Sequence, residues 1–419
     1  MSKNHIRSIK GTQDILPEES HKWRILEKKI HDTMELFNYG QIRTPAFEKT
    51  ELFDRGVGLE TDIVTKEMYS WIDQGGERLT LKPELTAPVS RAFIQHSLGI
   101  QKPLTKLYYV DALFRRERPQ KGRFRQFHQF GVEAFGSEHP EIDCEIISIA
   151  VTLFKELGIQ DLVLTLNSIG SESCREDYKN ELKEFLKPYL NDLSASSQKR
   201  FENNPLRILD TKSPSELEII KNAPAISNFW TNEDKEHFNE LCNLLDTLKI
   251  NYLIDSNLVR GLDYYSRTTF EIISPSLGAQ NAVCGGGRYD KLVEMIGGKP
   301  TPGIGFAAGI ERIMMTLKDY PDNTNIYIYV VGIGPKVRDA VIKLTDELRQ
   351  KNLPTECDML RRSVKSQLRE ANKIGARYAI IIGDKEFENN LVEVKNLENS
   401  KQEKIAIGSV VNHMTSLSF

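Results

Sequence analysis

Residues 114–133, FRRERPQKGRFRQFHQFGVE, constrain the fold more than any other stretch of this chain. The segment before them, KLYYVDALF, alternates as a strand does. The one that follows, QFHQFGVEAF, is rich in aromatics and places Phe127, Gln129, Gly131 and Glu133 on one face. Between the two lie Arg115, Arg116, Arg118, Lys121, Arg123 and Arg125, opposed only by Glu117 and interrupted by Pro119 and Gly122. This reads as a strand, a cationic loop and a returning strand. Guanidinium forks match phosphate oxygens two at a time, so such a loop can wrap a polyphosphate while the second strand offers polar groups to a small ligand. On composition alone it also fits a solvated hairpin tip.

A chain of 419 residues is too long for one ordinary core, and two or three domains are expected. Around the hairpin, Trp23, Leu26, Ile30, Met34 and Phe37 recur at helical steps, and QIRTPAFEKT follows as a strand. A turn at Gln74-Gly75-Gly76, a strand ERLTLKPE and a helix from Thr86 come next. Residues from about 171 to 251 read as helical, charged and thinly apolar, an insertion into a sheet that resumes with LVRGLDYYSRTTFEII, continues through AVCGGGRYDKL and finishes with GGKPTPGIGFAAGIERIMMTL. A break at Lys318–Asn325 sets off residues 326–419, where strands such as IYIYVVGIG and AIIIGD alternate with helices. That pattern suggests a separate α/β domain with a largely parallel sheet.

No apolar run is long enough to span a bilayer, and the start, MSKNHIRSIKGTQD, lacks the apolar stretch of a signal peptide, so the expected location is cytoplasmic. Five widely spaced cysteines indicate neither a disulfide framework nor a cysteine zinc site. A net charge of −3 argues against a protein that coats nucleic acid generally.

Three further segments carry chemistry. In RGLDYYSRTTFE, Arg260 precedes Gly261, and Tyr264 and Tyr265 follow on an expected strand. An arginine beside tyrosines suits phosphate plus a polar ring, although either tyrosine alone could simply pack. CGGGRYD, 284–290, would offer backbone amides to an anion, or make a tight turn. GIGFAAGIERI, 303–313, runs from a small-residue strand into a helix that presents Arg312. No GxxxxGK[ST] loop is present. Glu84 and Glu133 lie at strand positions among apolar neighbours, where each needs a cationic or hydrogen-bonding partner: a ligand ammonium, an imidazole N–H or a buried arginine.

Taken together, FRRERPQKGRFRQFHQFGVE, LVRGLDYYSRTTFE, GGGRYDKL and GIGFAAGIERI resemble the signature segments of histidyl-tRNA synthetases in order and spacing, over nearly the whole chain. The two arginine motifs are general to class II aminoacyl-tRNA synthetases, whereas RGLDYY is characteristic of the histidine enzymes. The resemblance implies an α+β catalytic domain over 1–320, with an antiparallel sheet flanked by helices and the helical insertion at about 171–251. An anticodon-binding α/β domain would occupy 326–419. It further implies a ligase that activates L-histidine with ATP and passes it to tRNA(His), and a cytoplasmic homodimer joined through the first helix and the following strand. Magnesium would accompany ATP, with no tightly bound protein-ligated metal.

By the same resemblance Arg115 and Arg260 would flank the α-phosphate as catalytic residues. Arg123 and Arg312 would bind the rest of ATP. Glu84, Thr86 and Gln129 would take the ammonium and orient the carboxylate of histidine. Glu133 and Tyr265 would bond its imidazole, with Tyr264 and Tyr289 closing the pocket. Arg361, Lys365, Arg369 and Lys373, at four-residue steps, would form a basic helical stripe for tRNA, or a solvated face. The chain departs from the common bacterial pattern in carrying Leu85 in place of glycine and Lys82 in place of arginine. Two other readings compete. One is a regulatory subunit of the phosphoribosyltransferase that begins histidine biosynthesis, a relative that usually lacks the C-terminal domain. The other is an RNA-binding module, which leaves the acidic, tyrosine-lined pocket unexplained.

Overall fold

The computed structural model describes residues 5–58, 61–120, 122–275, 277, 282–317 and 328–417. Lys121 of the cationic loop, and the break expected at 318–325, lie outside the described residues. The chain divides into two compact units, Met1–Tyr320 and Pro321–Phe419.

Among its described residues the first unit has eleven strands: β1 (Gly40–Gln41), β2 (Phe47–Lys49), β3 (Tyr69–Ile72), β4 (Arg78–Leu81), β5 (Thr105–Phe114), β6 (Gln126–Phe135), β7 (Val163–Ser168), β8 (Tyr252–Ile254), β9 (Ser266–Ile273), β10 (Ala282–Arg288) and β11 (Gly303–Gly309). Eight form one sheet in the order β1-β5-β6-β11-β10-β9-β7-β8. Every neighbour pair from β5 across to β7 is antiparallel, as the family resemblance implies, and a short parallel strand closes each edge. The segment read as one strand, QIRTPAFEKT, is split. β1 joins the large sheet and β2 joins a three-stranded sheet, β2-β4-β3, because Pro45 between them has no N–H for a ladder.

Alternation along β6 sends Phe130, Val132 and Ala134 to the back of the sheet. There they meet Leu26, Ile30 and Met34 of the helix Pro17–Leu36 and Ile146, Ile149 and Leu153 of the helix Pro140–Glu156. The region read as one thinly apolar insertion divides between the two faces. Its last helix, Asn232–Thr247, carries Phe238, Leu241 and Leu245 at helical spacing and so joins the back layer. Its earlier part contributes Tyr178, Leu182, Leu186, Leu206 and Ile208 to a front core that also holds Val259, Tyr264 and Tyr265.

The second unit is a five-stranded sheet of β12 (Ile328–Ile333), β13 (Thr355–Cys357), β14 (Tyr378–Gly383), β15 (Leu391–Asn396) and β16 (Gln402–Ala406), in the order β13-β12-β14-β15-β16. Only β13, β12 and β14 run parallel; β15 and β16 are antiparallel additions. Residues 397–401 joining those two are too few for the crossover that a parallel pair requires. Its core gathers Val330, Leu344, Leu348, Ile380, Ile382 and Val392. All five cysteines are free: Cys144, Cys174 and Cys284 are buried in the first unit, Cys357 is buried in the second, and Cys242 is half-buried. Among the described residues no helix is long and apolar enough to cross a membrane.

Candidate active site

The front of the large sheet has a floor with few side chains. A Cβ at Gly131 would meet the phenol of Tyr109, one at Gly305 the carboxylate of Glu133, and one at Gly285 the guanidinium of Arg260. These glycines stand on the adjacent strands β6, β11 and β10, so three polar side chains lie flat across the sheet where any larger residue would displace them. The sequence carries the sheet on through AVCGGGRYDKL, and residues 284–288 do lie in β10, paired on both sides with β9 and β11; its amides therefore belong to the ladders rather than to an anion, and its glycines provide space.

Two buried carboxylates stand on this floor. Glu84 accepts the backbone N–H groups of Thr86 at 2.9 Å and Ala87 at 3.0 Å, donors that the first turn of the helix Thr86–Gln95 leaves without intrahelical partners. Glu133 accepts the hydroxyls of Thr86 at 2.8 Å, Tyr109 at 3.2 Å and Tyr289. Burial raises Glu84 to about 7, against the pull of those N–H donors and of Arg115. Burial likewise raises Glu133 to about 8; the hydroxyls of Tyr289 and Thr86 oppose it, and the nearby charge of Glu84 adds to it. Gln129 lies on the same strand, opposite Asp111 on β5 and Gly309 on β11.

Tyr264 and Tyr265 occupy the turn before β9, which begins only at Ser266, rather than the strand expected for them. Gly261 and Asp263 favour the bends that bring the chain there. Both rings are buried. Tyr264 packs against Tyr265 with centroids 4.8 Å apart and meets Tyr289 edge to face at 5.7 Å. Thus Glu84, Thr86, Glu133, Tyr264, Tyr265 and Tyr289 come together as one acidic, phenol-lined recess.

The arginines gather beside it. Arg115 donates through Nε to the Pro83 carbonyl at 2.8 Å and lies over the ring of Phe127, 5.2 Å from its centroid. Glu117 bridges Arg115 at 3.7 Å and Arg123 at 3.2 Å. Arg312, on the short helix Ile310–Thr316, donates to the Ala282 carbonyl at 2.8 Å, and Arg260 is paired with Glu271. Burial lowers the pKa of Arg312, and the charges of Arg123, Arg115 and Arg260 lower it further, with Glu117 opposing. The charges of Arg115, Arg123 and Arg260 are thus all felt at Arg312.

Several residues were not singled out from sequence. Tyr109 reaches Glu133 because the β5–β6 register sets it directly opposite Gly131. Glu311 accepts both the backbone N–H of His128, at 3.0 and 3.1 Å, and a contact from its ring Nδ1 at 3.0 Å, tying the helix of Arg312 to the returning strand. Arg288 is wholly buried on Asp143, with bonds of 3.0 and 2.9 Å, and nothing in the sequence links residues that far apart. Lys82 is buried with its ammonium 2.6 Å from Asp111, and Leu85 packs in the front core.

In the second unit Lys365, Arg369 and Lys373 are exposed on the helix Val364–Lys373, which Ser363 caps. Arg361 precedes that helix with φ of 55°, so the expected four-residue stripe loses its first member to the turn. Its neighbour Arg362 is instead locked onto Asp358 at 2.5 Å and Glu370 at 2.9 Å.

Residues 11–313 match the family model described as histidyl-tRNA synthetase, and residues 327–417 match that of the anticodon binding domain. A histidine–tRNA ligase of Acetivibrio thermocellus is 46% identical over 97% of this chain and 98% of its own. The crystal structure of apo histidyl-tRNA synthetase from S. aureus superposes with a TM-score of 0.84 at 35% identity, covering 98% of this chain and all of that one (100%). A Bacillus halodurans structure described as an ATP phosphoribosyltransferase regulatory subunit/histidyl-tRNA synthetase gives a TM-score of 0.66 at 21% identity, covering 89% of this chain and 97% of its own; that likeness concerns the fold alone.

Proposed function

The chain belongs to the histidyl-tRNA synthetase family, and on that premise we propose how its residues divide the work of a histidine–tRNA ligase. A histidine carboxylate oxygen attacks the α-phosphorus of ATP, pyrophosphate leaves, and the histidyl-adenylate remains. A hydroxyl of the terminal ribose of tRNA(His) then attacks the activated carbonyl, and AMP leaves.

The observation that carries this reading is the convergence of Arg115, Arg123, Arg260 and Arg312 beside the buried pair Glu84 and Glu133. Cations that repel one another in a half-buried place are poised for a polyanion, and rigidly held donors stabilise charge as it develops. Arg115 and Arg260 take opposite sides of the α-phosphate, while Arg123 and Arg312 hold the rest of the nucleotide. Glu84, Thr86 and Gln129 receive the ammonium and orient the carboxylate. Glu133 and Tyr265 bond the imidazole, and Tyr264 and Tyr289 close over it. Another amino acid would leave these buried polar groups unpaired, which is a strong ground for rejection.

Magnesium arrives with ATP. Among the described residues no group of three or more His, Cys, Asp or Glu side chains is arranged to hold a metal. Residues 1–320 serve as the catalytic domain, with the insertion at about 171–251 near the acceptor arm, and residues 326–419 as the anticodon-binding domain. Exposed Arg361, Lys365, Arg369 and Lys373 supply phosphate contacts to the tRNA. The protein works in the cytoplasm as a homodimer; the exposed apolar side chains of Leu36, Phe47 and Trp71, on the first helix and the small sheet, are surface that such an interface would cover.

The test is exchange of labelled pyrophosphate into ATP with each of the twenty amino acids and no tRNA. Exchange with histidine alone is expected. A folded protein that exchanges with none of them would overturn the ligase assignment in favour of the regulatory subunit.

A further inference from the structure

The loop that carries Tyr264 and Tyr265 has no regular structure of its own from Leu258 to Tyr265. A segment without a ladder takes its shape from what it packs against, and here that is the helical insertion. Arg175, on the helix Glu172–Leu186, donates through Nη1 to the Tyr265 carbonyl at 2.6 Å. Asn204 donates to the Asp263 carboxylate at 2.8 Å. A Cβ at Gly261 would stand 3.9 Å from the guanidinium of Arg207, which with Arg200 also approaches Asp62, at 3.8 and 3.5 Å.

The direction of these side chains matters. Lys187, Lys199, Lys212 and Lys221 of the insertion are exposed, as suits a surface for nucleic acid, whereas Arg175, Arg200, Asn204 and Arg207 are half-buried and make contacts inward. Leu206, Ile208 and Leu209 share one apolar core with Val259, Tyr264 and Tyr265. An element serving only as an RNA clamp needs no polar bonds to the pocket wall.

We propose that Arg175 and Asn204 are positioning residues for the amino-acid pocket: from the insertion they fix the backbone at Tyr265 and the side chain of Asp263, so that the insertion shapes histidine recognition before any tRNA is bound. This rests on the reading of Tyr264 and Tyr265 as walls of the histidine pocket. Removing Arg175 leaves the Tyr265 carbonyl without that donor and frees the loop to move the two rings.

The experiment uses the full chain in tRNA-free pyrophosphate exchange. Wild-type exchange with histidine comes first, since its failure would defeat the pocket reading and not this proposal. Given that activity, Arg175→Ala is expected to raise the histidine KM about tenfold while the ATP KM stays within about twofold. Arg175→Lys, which retains a donor, should recover most of the loss, and Asn204→Ala should shift the histidine KM in the same direction by a smaller factor. A histidine KM unchanged in both alanine variants overturns the proposal, as does an equal rise in both KM values, which would mean general loosening. If Arg175→Ala does not fold, Asn204→Ala decides the matter by the same two readouts.

Discussion

Glu133 accepts three hydroxyls and is still raised to about 8, while Glu84 is raised to about 7. Both values lie above those of an unfolded carboxyl, so the folded protein holds protons that the unfolded chain has released. The contribution to stability is complete below about pH 4 and is lost as pH rises through about 7 and 8. The ligand-free melting temperature should therefore fall across that window, and Glu133→Gln should fall less steeply; parallel profiles for the two proteins would remove Glu133 from the account. At this scale much of the site was legible. A period of two fixes which face Gln129, Gly131 and Glu133 share, whichever strand lies alongside. The phenol of Tyr109 was not legible as a partner, because its reach to Glu133 depends on the register between two strands. Nor was the Arg288–Asp143 pair, which depends on the packing of a distant helix on the sheet.

Elements were read well where a periodic pattern decided them and poorly where β-propensity did. The helix at Thr86–Gln95 begins where it was expected. CGGG stands in the sheet, as the pattern of AVCGGGRYDKL suggests, but its glycines leave room for the side chains crossing above them rather than offering amides to an anion. The tyrosines were placed on a strand because aromatic residues favour one, but contacts with the insertion hold them in a turn. In the second unit the helix Val364–Lys373 begins three residues after Arg361, so an RNA surface there has three cations at helical spacing and one outside it. Neutralising Lys365 and Arg369 together should weaken tRNA binding and lower the slope of log affinity against log salt by about two. An unchanged slope would assign the stripe to solvent.

At the scale of the molecule, two units with separate cores were visible in the sequence as a change of pattern, although the antiparallel β15 and β16 were not. The direction of β16 follows from loop length, since residues 397–401 are too few for a crossover. The buried cysteines extend this division into time. A thiol enclosed in a core reacts with an alkylating reagent only when that core opens, so its labelling rate measures how often opening occurs. Cys144 and Cys284 report on the first unit and Cys357 on the second. Under native conditions they should label at two distinct rates, and adding histidine with ATP should slow only the first pair; one common rate would mean that both cores open together. The protein thus carries, without any engineered probe, a separate clock in each of its two bodies.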